Sequence, residues 1–157
     1  MIFYLFWLVI FATATYCAYK ISAADFRRRI IPDAYLFPLF LIGLVTAAFF
    51  PHWIIDTTTS IIGATTGYVL GAGIGIIFEH FSRKKNAKAP APIGMGDIKL
   101  LATGGAWIGV TGLSIALIVA CIVGGIWAKY KKQRFIPFAP FFVLGAILAL
   151  IVMAFLI

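Results

Sequence analysis

Asp25 and Asp97 are two of only five acidic residues in a chain of 157. Each stands at the edge of a long apolar run, in "AADFRRRIIPD" and in "GMGDIKLL". An ionisable group near membrane depth is costly to hold there and marks a candidate functional site. Two carboxyls brought together from separate helices share one proton, because like charges a few ångströms apart resist ionising together. The ionised member can take a proton from water while the neutral member polarises a carbonyl. That is the smallest apparatus able to hydrolyse a peptide bond by aspartic chemistry.

Each acid also has a structural reading, and the residues alone leave both open. Asp97 suits the N-terminus of a helix, where Asp is favoured by capping and by the dipole, with Gly94 and Gly96 as ordinary loop glycines. Asp25 can pair with Arg28 or Arg29 at helical spacing. Asp33, after Pro32, reads as the N-cap of the next helix, and Glu79 as a solvated helix end. Other hydrolytic chemistries find no support. There is no H-E-x-x-H, and His52 and His80 fall on opposite sides of the topology derived below. "GLSIA" around Ser114 lacks the second glycine of a nucleophile elbow. Cys17 and Cys121 sit in apolar runs without C-x-x-C spacing, so neither a zinc site nor a disulfide framework is indicated. Gly63, Gly67, Gly71 and Gly75 follow small-xxx-small spacing, the pattern of closely packed membrane helices. No metal and no organic cofactor is called for.

The elements that must position these groups follow from composition. The chain is 63% hydrophobic and 11% charged, with a mean hydropathy of +1.07, which leaves too little polar surface for a water-exposed globule. Apolar runs of about 20 residues fit helical crossings of a hydrocarbon layer roughly 30 Å thick. The prediction is an all-α polytopic membrane protein with residues 1–157 as one domain. The net charge of +8 is no sign of nucleic acid, because its 13 basic residues fall in three clusters. These are Lys20 to Arg29, Arg83 to Lys99 and Lys129 to Arg134. The positive-inside rule puts all three in the cytoplasm, against anionic lipid headgroups.

Spans are then expected over Ile2–Tyr19, Ala34–Phe50, Thr58–Phe78 and Phe138–Ile157, with Pro51–Thr59 as an external turn holding Asp56. The first has no basic residue before it and no small-residue cleavage pattern after it, so it is expected to stay as a span. From Asp97 to Ala128 there are 32 residues, about 48 Å as one straight helix. A single crossing would put "KYKKQR" outside, so a hairpin near Gly109–Gly112 is predicted, with a short, broken fourth and fifth helix. The total is six transmembrane helices, with the N- and C-termini outside and a site near the cytoplasmic face. Ser82–Gly96, basic and then rich in Ala, Pro and Gly, reads as a tether.

Three stretches together resemble the type IV prepilin peptidase family, membrane aspartic endopeptidases of the G-x-G-D class. They are "DFRRRIIPDAYLFPLFLIGL", "GMGDIKLLATGGAWIG" and "FIPFAPFFVLGAI", in the family's order from Asp25 to Ile147. The resemblance implies that Asp25 and Asp97 are the catalytic aspartates. It implies that Gly94 and Gly96 let the backbone approach substrate or adopt φ > 0, and that Lys99 supports the site toward lipid phosphate or the substrate carbonyl. The implied reaction is removal of a short basic leader from type IV prepilin or pseudopilin-like precursors at the cytoplasmic face of the bacterial inner membrane. Long family members carry an N-terminal region with paired C-x-x-C motifs, associated with N-methylation. Here span one begins at Ile2, so the short, peptidase-only form is expected. The alternatives are a non-enzymatic six-helix transporter or assembly partner, and a G-x-G-D peptidase for another substrate such as archaeal preflagellin. A transporter should show paired broken helices, whereas only the stretch after Asp97 is of that kind. Presenilin-like relatives carry Pro-Ala-Leu where this chain has "PFAPF".

Overall fold

Backbone amides and carbonyls inside a lipid layer must find partners within their own segment, which apolar runs of this length do by forming helices. The structure, a computed structural model, describes residues 2–51, 54–85, 93–132 and 136–156. Five helices occupy them: α1 (Ile2–Arg28), α2 (Asp33–Phe49), α3 (Thr57–Lys85), α4 (Met95–Lys131) and α5 (Phe138–Leu156). No strand occurs among the described residues. The runs Tyr4–Arg28, Thr57–Phe81, Met95–Lys131 and Phe138–Phe155 are long and apolar enough to cross a membrane, and α2 is a shorter apolar helix. Large apolar side chains cover the outward faces, among them Leu8, Ile76 and Phe155. That surface suits lipid and not water.

Three boundaries differ from expectation, one of them the end of α3, which continues past Phe78 to Lys85. α1 continues past Tyr19 to Arg28, so Asp25 is still helical. The external turn is shorter than Pro51–Thr59, because α3 already begins at Thr57. Just ahead of α3, the Thr59 hydroxyl holds the Asp56 carboxyl below the usual carboxylate range. Residues 86–92 of the expected tether lie outside the described residues, and its two ends belong to α3 and α4.

Five helical elements stand among the described residues where six helices were expected. Where a fourth and fifth helix were expected there is one helical element, α4, with a single non-helical residue, Gly109, at φ 63 and ψ −172. That region is open essentially to glycine alone, so one residue makes the break and no loop is needed. The path of α4 doubles back there. Side chains built at Gly104 and Gly124 would meet the rings of Phe142 and Phe141, neighbours at one level of α5. On a straight helix those two glycines would stand about 30 Å apart.

Small residues position the first arm of α4. A Cβ at Gly63 would fall on the carbonyl of Gly105, and one at Gly67 on the carbonyl of Leu101. The α3 and α4 backbones therefore touch along this seam, as small-residue spacing allows. Ser60, fully buried, donates its hydroxyl to Ala106 O at 2.6 Å. On the other side Trp107 Nε1 donates to Leu39 O at 2.8 Å, in space that Gly43 leaves open. Ile21, Leu36, Leu100, Ile108, Leu113 and Phe142 fill the centre.

Candidate functional site

Asp25 sits in the last turns of α1, one helical turn beyond the fully buried Ile21, and is itself only 5% exposed. A carboxyl buried this deeply needs donors. Its Oδ2 accepts a hydrogen bond from the backbone N–H of Ala139 at 2.7 Å. The first N–H groups of any helix lack intrahelical partners, and Ala139 is in the first turn of α5. Pro137 and Pro140 have no N–H, which concentrates donation on the residues between them. Asp25 thus crosses from α1 to the positive end of α5, where a carboxylate is favoured. Arg29 ends α1 in the left-handed conformation, φ 55. Its N–H donates to Asp25 O at 2.9 Å, and its positive charge reaches the Asp25 carboxyl. Of the two arginines expected as partners, Arg29 is the one that acts on Asp25.

Asp97 is not the N-cap of α4 but lies three residues inside it, in its first turn. α4 starts at the N-cap Gly94, whose N–H donates to Asp97 Oδ2 at 3.2 Å. In return the Asp97 N–H donates to Gly94 O at 3.0 Å. Only the N3 half of a capping box is present, because Gly94 has no side chain to return the bond and its carbonyl accepts in place of one. That half engages one carboxyl oxygen and leaves Oδ1 without a hydrogen bond among the described residues. The cap and the dyad are therefore compatible. Asp97 is half-buried and stands within the electrostatic field of Asp25. The fold thus brings the end of α1 and the start of α4 near enough for the charge of Asp25 to act on Asp97.

Lys99 has a different partner from the one expected. Its ammonium donates to Asp33 Oδ2 at 2.7 Å and lies 5.6 Å from the centre of the Phe37 ring. Asp33 is accordingly not the N-cap of α2. Pro32 holds that position, and Asp33 begins the helix with its carboxylate turned to Lys99. Gly96 packs on Ile31, where an added Cβ would lie 2.9 Å from Ile31 Cβ. Neither Gly94 nor Gly96 has positive φ. Gly96 serves close approach, and the segment it approaches is Ile31 to Asp33 of the same chain. Three contributors were missed from sequence: the Ala139 amide, Ile31 and Asp33. The flanking prolines of "IPFAPF" were the available signal for the first of these.

His80 lies beside Phe81, and His52 is outside the described residues. Among the described residues no group of three His, Cys, Asp or Glu side chains could hold a metal ion.

The Type IV leader peptidase family model matches residues 8–129, a window holding both aspartates. Three curated relatives bear the name Prepilin leader peptidase/N-methyltransferase. The one from Xanthomonas campestris pv. campestris is 31% identical over 127 residues, 76% of this chain and 42% of its own length. The one from Escherichia coli (strain K12) is 31% identical over 137 residues, 83% of this chain and 57% of its own. The one from Dichelobacter nodosus is 32% identical over 120 residues, 74% and 39% respectively. The chain thus spans about half the length of the curated relatives it matches. No solved structure matches it.

Proposed function

Because the chain belongs to the type IV leader peptidase family, we propose that it is a membrane aspartic endopeptidase that removes the basic leader of type IV prepilin or pseudopilin-like precursors. The observation that supports this reading is that Asp25 and Asp97, from helices far apart in the chain, stand near enough for the charge of one to act on the other. With one proton between them, the ionised carboxyl takes a proton from water, and the water oxygen attacks the scissile carbonyl carbon. The other carboxyl gives its proton to the carbonyl oxygen. The tetrahedral intermediate then collapses, the C–N bond breaks, and the nitrogen leaves with a proton returned from the dyad. Ala139 N–H and the Gly94 N–H hold one oxygen of each aspartate. Lys99, paired with Asp33, ties the start of α4 to the start of α2 and so acts in support. Gly96 keeps those segments close.

The same proposal includes six crossings. The two arms of α4 count as separate passes, both termini lie outside, and the site faces the cytoplasm of a bacterial inner membrane. The three basic clusters support it by the positive-inside rule. So does the reversal at Gly109, which returns Lys129 to Lys132 to the end of the molecule where Asp25 lies.

Co-expression with a prepilin-like substrate bearing a basic leader tests the proposal, with cleavage read by gel shift and N-terminal sequencing. Native chain is expected to cut at the leader boundary, while Asp25→Asn and Asp97→Asn, folded and inserted, leave the precursor intact. Cutting by either folded variant at near-native rate would overturn the dyad mechanism.

A further inference from the structure

At the end of α1, directly after Asp25 in sequence, lies a cleft of about 520 Å³, within the range of roughly 300–1,000 Å³ typical of ligand pockets. Phe26, Arg27, Arg28 and Arg29 from the end of α1 line one wall, Trp127 and Lys131 from the end of α4 the other, and Pro137 closes it. Among the described residues four cations line this space and no acid does. The chain's acids are engaged or placed elsewhere. Asp25 lies behind Arg29 and faces Ala139, Asp33 holds Lys99, and Asp97 holds Gly94. Asp56 precedes α3, and Glu79 lies on α3, which packs on α2 and α4 and not on α1 among the described residues. Arg27, Arg28 and Lys131 are exposed, and the repulsion among them falls when an anion from outside the chain joins them.

The position of the cleft says which anion. Arg27 and Arg28 end an apolar run long enough to cross a membrane, and Lys131 ends another. These side chains therefore stand where a bilayer places its phosphates. Trp127 packs edge-on against Phe26 with ring centres 5.9 Å apart, the kind of aromatic pairing found at the membrane interface. Guanidinium groups bind phosphate oxygens through two parallel N–H bonds. Basic pockets between membrane helices are seats for anionic headgroups. We propose that this cleft binds the headgroup of an anionic phospholipid of the phosphatidylglycerol class, at a site distinct from the one assigned to peptide cleavage.

The test compares phosphatidylglycerol retention by the full chain, in nanodiscs of phosphatidylcholine and phosphatidylglycerol, using native mass spectrometry. Arg28→Gln/Lys131→Gln removes two charges from the cleft and leaves Arg29 beside Asp25 untouched. Lys129→Gln/Lys132→Gln removes two from exposed neighbours that do not line it. Native chain should retain phosphatidylglycerol selectively. The cleft variant should lose at least about tenfold of that selectivity, and the control less than about twofold, with helical content unchanged in both. Equal losses in the two variants would mean general attraction to a charged surface and overturn the site. Displacement of the lipid by millimolar inorganic phosphate would overturn the lipid assignment, since the cleft would then be a seat for free anions. Absence of selectivity in the native chain would overturn the proposal outright.

Discussion

Gly96 is where a single methyl group sets how two segments of the site meet. An added Cβ would lie 2.9 Å from Ile31 Cβ, pushing the start of α4 off the segment that leads into α2. Misplacing a catalytic group by about 1 Å can cost about 100-fold in rate. Gly96→Ala should therefore lower kcat/KM by about 10- to 100-fold while the protein stays folded, as leader cleavage and thermal unfolding in detergent will report. Asp25→Asn and Asp97→Asn should each lose at least about 10²- to 10⁴-fold, the range of positioned acid–base groups. Because the mechanism needs one ionised and one protonated carboxyl, the native pH–rate profile should be bell-shaped. Lys99→Gln breaks a half-exposed pair with Asp33. It should cost no more than about 1 kcal/mol of stability yet slow cleavage, and the exchange Lys99→Asp with Asp33→Lys should recover part of the rate. Asp25, Asp97 and Lys99 stand out in the sequence because charges are rare in so apolar a chain. The Ala139 amide was not legible there, because a backbone donor has no letter of its own. Nor was Ile31, whose contact with Gly96 exists only after α2 and α4 have packed.

α4 shows how length and charge can predict a path without predicting how it is built. Its length and the basic run at its end indicated a turn near Gly109. That the turn would take one residue was hidden, because it depends on backbone angles that glycine alone adopts readily. α1 was misjudged for the opposite reason. Lys20 ends the apolar run, but polar residues continue a helix wherever its hydrogen bonds can form, and this one reaches Arg28. Gly109→Ala should destabilise the protein by about 1–3 kcal/mol through backbone strain. Its Cβ would also come within 2.7 Å of Thr59 Cγ2. Denaturation in mild detergent measures the loss. Along the seam between α3 and α4, Gly63→Leu should be more damaging still, because the new side chain would fall on the Gly105 carbonyl, a backbone atom that cannot turn aside.

For the molecule as a whole, the six-crossing arrangement makes a prediction that can be read from outside the cell. In a chain with Cys17→Ser and Cys121→Ser, single cysteines at Arg28, Lys132 and Thr58 sample the two ends of the bundle. A membrane-impermeant maleimide added to intact cells should label Thr58→Cys and spare Arg28→Cys and Lys132→Cys until the membrane is opened. Labelling of Lys132→Cys from outside would mean that α4 crosses once, against the proposed topology. The reversal at Gly109 also gives α4 the mechanics of a pair of tongs. One tip carries Asp97 and the other carries Lys131, with the bow at the far end of the bundle. Asp97 lies about 18 Å along the helix from that bow, so a rotation of about 5° there would swing the carboxyl by roughly 1.5 Å. Thr59, packed where a Gly109 side chain would go, wedges the bow. On the proposed topology, the alignment of the two carboxyls at one membrane surface thus depends on the stiffness of a glycine near the other.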